Sequence, residues 1–360
     1  MNNTTIYKGR NSQIDIIKGI GIILMVGGHC GMPFTHFIYL FHMPLFFLMS
    51  GYLWKDPKEY SFSSSFDFLK RKLKGLLLPY FLTNAVFTLF NNVFINVGIY
   101  DESISVLSFA EVIADIIKSA CFLSTTKLGA ATWFYRVLFF VVLCQYIMCN
   151  IKRDRKFKRV ISISFLIVVI IGMTIIQFKA TLLYNVLLKC GLVPFFGGFY
   201  AFMLGVFIRQ YKIDDLVNKR KIFSFIIALV GLIVLNSFGT VNLDKGQIIN
   251  IFFFTLSTLL GWALLLVISH YVRGFIKKSI CYISQHSVWI ISLHFLSFKL
   301  VSFVYIVATN KDFKLLSSFP VIDNKPVLFL PYLVIGIVMP LLLCGIVNCI
   351  KNKIKQLASK

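Results

Sequence analysis

His29 and His42, thirteen residues apart, are the side chains of this sequence best suited to chemistry. Each stands in an apolar run, where an ionisable group costs ~2.5–3.5 kcal/mol on insertion and is by default a candidate for function. Imidazole exchanges a proton near neutral pH. Two of them at one depth point to a site, although either alone could simply be a packing histidine. Lys18 precedes His29 by eleven residues, ~16 Å along a helix that rises 1.5 Å per residue. It is either a snorkelling interfacial lysine or a contact for an anion. The run Lys70-Arg71-Lys72-Leu73-Lys74 leads into Pro79-Tyr80. It reads as a basic membrane anchor, and Arg71 and Lys74 are also suitable donors to phosphate oxygens. Trp133 and Arg136 open a later apolar run, and an aromatic belt accounts for the tryptophan alone. His286 and His294 lie eight residues apart in another run that also holds Lys299. Eight steps return to roughly the same helical face, so His294 is a candidate to face the interior of a bundle.

The elements that must position these groups follow from composition. Of 360 residues, 58% are hydrophobic and 14% charged, which leaves too little polar side chain to coat a soluble surface. About ten apolar runs are long enough to span a bilayer: approximately 13–30, 38–54, 76–98, 132–150, 160–178, 190–208, 222–238, 248–268, 282–308 and 327–349. The expectation is an all-α polytopic membrane protein, with about ten transmembrane helices in one bundle and a single domain over residues 1–360. Basic and near-neutral loops alternate. With both termini cytoplasmic, the inner segments hold 27 of the 37 Lys and Arg, so the net charge of +23 is an orientation signal and an attraction to anionic membrane lipids. A stretch such as Lys152-Arg153-Asp154-Arg155-Lys156 is therefore a stop-transfer anchor and not a nucleic-acid patch. The eight cysteines lack ligand spacing, and no metal site is expected.

The first two runs are joined by about seven residues, so they form an antiparallel hairpin that brings His29 and His42 to similar depth. Pro44 is expected to kink the second helix and open space beside the imidazoles. The long segment 99–131 carries Ile104, Leu107, Val112, Ile113, Ile116 and Ile117 at helical spacing, predicting a helix on the outer membrane surface. Buried histidines and an internal cationic path through Arg136 and Lys299 also fit a transporter or a polysaccharide-unit flippase, but no internal repeat is visible. A non-enzymatic partner in a glycan-assembly complex is a third reading.

These pieces in this order resemble the membrane acyltransferase-3 family, bacterial enzymes that O-acylate cell-surface polysaccharides. The resemblance rests on Asp15-Ile-Ile-Lys18-Gly19-Ile20 leading to His29, and on Phe41-His-Met-Pro44-Leu-Phe46-Phe47 through Ser50-Gly51-Tyr52. The basic run before Pro79-Tyr80, Trp133-Phe134 and the Ser287…His294 pattern extend it. Many members carry Arg where this chain has Lys18, and Gly75 stands where another basic residue is common. The chain looks like the polysaccharide branch (fucose 4-O-acetylase-like) that lacks an added extracellular domain. The resemblance implies a bacterial inner-membrane enzyme. It implies acetyl-CoA as cytosolic donor, held through Lys18, Arg71 and Lys74, and a polysaccharide or lipid-linked glycan hydroxyl as acceptor. His29 and His42 become the catalytic pair, with Trp133, Arg136 and His294 on the acceptor side.

Overall fold

The computed structural model describes residues 11–57, 61–101, 103–150, 155–178, 182–189, 192–322 and 326–358. The basic stretch at 151–154 and Cys190 lie outside them. Helices α1 (Ser12–His29), α2 (Thr35–Tyr39), α3 (His42–Tyr52), α4 (Phe62–Lys72), α5 (Leu78–Leu89), α6 (Asn91–Asn96), α7 (Phe109–Ala120) and α8 (Trp133–Asn150) make the first half. The second half holds α9 (Arg155–Gln177), α10 (Leu182–Lys189), α11 (Val193–Gln210), α12 (Ile213–Lys219), α13 (Lys221–Asn236), α14 (Ile251–Tyr271), α15 (Gly274–Gln285), α16 (Ser287–Thr309) and α17 (Phe329–Ala358). No strand occurs among the described residues. Five segments are long and apolar enough to cross a membrane: Ala130–Asn150, Val193–Gln210, Ile251–Tyr271, Ser287–Thr309 and Phe329–Leu357. The outward surface supports a lipid environment. Along α13, Ile222, Ile226, Val230, Ile233 and Val234 are all exposed, whereas Ser257, Thr258 and Ser302 are buried.

Three expected spans are broken, each for a local reason. The run 38–54 is two helices, because Phe41 leaves the helical region with φ −142° and α3 starts at His42. Pro44 therefore sits in the first turn of α3, where no intrahelical N–H is required, and it starts the helix instead of kinking it. The run 76–98 is interrupted at Phe90. There the carboxamides of Asn91 and Asn92 donate to the Ser105 and Leu107 carbonyls, tying α6 to the following loop. The run 282–308 is divided at His286, between α15 and α16. Ahead of Pro79, which cannot donate to the carbonyl four residues back, Leu73–Leu77 widens into a π-helical turn that closes through Leu78 N–H on the Leu73 carbonyl.

Helix contacts rely on small residues. α3 lies so close to α11 that a Cβ at Gly51 would overlap the Phe202 carbonyl, and one at Gly205 the Leu48 carbonyl. This crossing fixes α3, and with it His42. α7 forms where the sequence predicts a surface helix: Ser108 and Glu111 make a capping box, and Phe109, Ile113 and Ile117 are exposed at four-residue spacing.

Candidate active site

α1 ends on His29 and α3 begins on His42, so the short connection through α2 delivers both imidazoles to one end of the bundle. They line a cavity of about 560 Å³. α16 supplies a third imidazole behind them: the His294 ring stacks on His29 with centroids 5.5 Å apart. Phe295 meets His29 edge-on at 4.9 Å, while Tyr39 bridges the pair, at 4.8 Å from His42 and 6.5 Å from His29.

Hydrogen bonds set the tautomers. His42 Nδ1 lies 3.0 Å from the Ile38 carbonyl and His294 Nδ1 2.9 Å from the Ile290 carbonyl. A carbonyl only accepts, so in both neutral rings Nδ1 carries the proton and Nε2 offers a lone pair. His294 is fully buried, and its Nε2 has no hydrogen-bond partner among the described residues. His29 makes no side-chain hydrogen bond among the described residues, so its nitrogens are available to whatever occupies the cavity.

The remaining walls are aromatic and mostly pinned. Trp133 lines the cavity from the start of α8. Its position follows from buried Asn84, whose Oδ1 accepts from Thr126 N–H at 2.8 Å and whose Nδ2 donates to Thr132 Oγ1 at 3.0 Å. Phe319, Pro320 and Val321 also line it, in a loop that α16 holds from within. Lys299, buried to 3% exposure, donates to the carbonyls of Leu316 at 3.0 Å and Ser318 at 2.5 Å, and its ammonium lies 5.8 Å from the Phe319 ring. Lys127 approaches that ring equally closely. It also pairs with Asp101 at 2.7 Å and, with help from Ser103, holds that carboxyl down to about 2.

The expected site residues thus divide. His29, His42 and Trp133 line the cavity, and His294 backs it. Arg136 does not line it; its guanidinium donates to the Phe122 carbonyl at 2.5 Å while the Tyr80 hydroxyl donates to the Ser124 carbonyl at 2.6 Å, and together they brace the 119–126 segment. Along α1 the lining reaches only to Met25, so half-buried Lys18 is outside the cavity. Arg71 and Lys74 are exposed, and Lys74 borders a separate apolar cleft with Leu78 and Phe122. Sequence reasoning missed Tyr39, Phe295 and Phe319, which carry no signal distinct from other apolar aromatics. It also missed Asn242, Asp244 and Lys245, whose polar cluster in a short loop was legible but unplaced. Among the described residues no His, Cys, Asp and Glu group could hold a metal.

Helices apolar on the outside, around a cavity lined by two imidazoles and backed by a third, define a membrane-embedded class of protein with acid–base capacity. The acyltransferase-3 family model, described as an acyltransferase domain, matches residues 11–349, and the chain belongs to that family. No curated protein and no solved structure gives a significant match.

Proposed function

We propose that this protein is an integral membrane O-acyltransferase. It moves an acetyl group from cytosolic acetyl-CoA to a hydroxyl of a cell-surface polysaccharide or its lipid-linked precursor, and it does so in a bundle of about ten membrane-crossing helices with both termini in the cytoplasm. The observation that carries this reading is the convergence of His29, His42 and His294 at one cavity of a chain whose family is acyltransferase.

In this mechanism His29 takes the proton of the acceptor hydroxyl as its oxygen attacks the thioester carbonyl carbon. The tetrahedral intermediate then collapses, the carbon–sulfur bond breaks, and the leaving thiolate receives the proton from the imidazolium. His42, its Nδ1–H committed to Ile38, presents Nε2 as a hydrogen-bond acceptor to a neighbouring hydroxyl of the same acceptor, which orients the reacting one. Stacking on His294 and the edge of Phe295 hold the His29 ring in place. Lys18, on α1 to the N-terminal side of His29, receives the phosphates of the donor together with Arg71 and Lys74, and Trp133 offers an aromatic face to a sugar ring. Arg136 supports this acceptor side indirectly, through the 119–126 segment.

The test is release of free CoA by the purified protein, given acetyl-CoA and surface glycan from cells that lack the protein. His29→Ala should lower the rate by about 10²–10⁴-fold, the usual contribution of a general base. Full activity in that variant, or transport of acetyl-CoA or glycan without CoA release, would overturn the proposal.

A further inference from the structure

The cavity is unevenly furnished. Apart from the imidazoles, the Tyr39 hydroxyl and the Trp133 indole N–H, every polar side chain lining it comes from one connection, the turn between α13 and α14. That turn contributes Asn242, Asp244 and Lys245: a carboxamide, a carboxylate and an ammonium within four residues.

It is also a built element. Asn242 and Gln247 exchange two backbone hydrogen bonds of 2.8 Å, closing the turn on itself, and Gly246, at φ +61°, takes the left-handed conformation that the reversal requires. Val241 N–H donates to the Tyr39 carbonyl at 3.2 Å, so the turn is fastened directly to the residue whose ring separates His29 from His42. Val241 and Leu243 are buried, which leaves the intervening Asn242 and the following Asp244 and Lys245 for the cavity. Asp244 and Lys245 are both exposed, so their charged ends are open to a ligand that enters the cavity.

Resting on the proposed function, we infer that the Val241–Ile248 turn is the acceptor-recognition subsite, and that it reads a hydroxyl-rich sugar ring. Asp244 accepts hydrogen bonds from ring hydroxyls, and Lys245 donates to ring or hydroxyl oxygens. The aromatic walls from Trp133 and Phe319 take the apolar face of the same ring. A carboxylate and an ammonium side by side give no net attraction to a charged ligand, so the sugar is selected by its hydroxyl pattern.

The experiment measures CoA release by full-length Asp244→Ala, Asp244→Asn and Lys245→Met proteins at saturating acetyl-CoA, against increasing surface glycan from cells lacking the protein. Thermal unfolding in detergent checks that each variant is folded. The inference expects Asp244→Ala and Lys245→Met each to raise the glycan concentration for half-maximal rate at least tenfold. It also expects the half-saturating acetyl-CoA concentration to stay within twofold of the parent. Asp244→Asn, which keeps an accepting oxygen, should recover part of the loss. Unchanged glycan dependence in both Asp244→Ala and Lys245→Met, with His29→Ala still inactive, would overturn the inference and leave the acyltransferase reading standing. Full activity of His29→Ala would instead remove that reading, and this inference with it.

Discussion

At the scale of single residues, His294 poses the sharpest question. A fully buried imidazole whose Nε2 finds no partner among the described residues costs the fold on the order of 1–3 kcal/mol of unrecovered solvation. A bundle selected for stability alone would carry Phe there. His294→Phe is therefore expected to leave the thermal midpoint unchanged or raise it, by the equivalent of about 1 kcal/mol, while slowing CoA release. Thermal unfolding alongside the transfer assay checks both halves; loss of stability with full activity would assign His294 a packing role. Lys299 predicts the opposite pattern. Lys299→Met strands the Leu316 and Ser318 carbonyls at the cavity wall and should lower stability by about 1–3 kcal/mol, with Lys299→Arg recovering part of it. The histidines were legible in the sequence because an ionisable group in an apolar run is conspicuous. Asn84 and Phe319 were not, since their roles depend on partners some 40 residues away or on another helix.

Among the elements, the α3–α11 crossing decides how accurately His42 is held. Backbone meets backbone there, and neither partner is a side chain that can swing aside. Gly205→Leu should destabilise the protein by at least the 1–3 kcal/mol typical of overpacking, and should depress transfer even though it touches no cavity residue. Melting curves and CoA release from one preparation test this. The element pattern was largely readable: each of the ten apolar runs contains helix, and the surface helix at Phe109–Ala120 falls within its expected segment. Continuity was less readable. Asn91-Asn92 breaks a helix through hydrogen bonds to residues 105 and 107, and periodicity does not register such long-range contacts. Pro44 was assigned the wrong effect because its consequence depends on whether a helix begins before it or at it.

For the molecule as a whole, the charge distribution makes a prediction about sidedness. If the basic loops face the cytoplasm, then Cys121, exposed at the end of α7, lies outside, and the C-terminal end of α17 lies inside. In intact spheroplasts a membrane-impermeant maleimide should label Cys121, whereas a Lys353→Cys variant should react only after permeabilisation. The reverse pattern would invert the bundle and put the histidine cavity on the side of the donor.

The self-closing backbone pair of Asn242 and Gln247 has an evolutionary consequence. Because the loop is closed at its own base and its buried Val241 and Leu243 hold it to the bundle, the exposed Asp244 and Lys245 at its tip can change without unravelling the helices that carry the histidines. Diversification among descendants of this gene should concentrate there. Transplanting those eight residues between two homologues that decorate different glycans should carry the preference across, with the chemical machinery left in place.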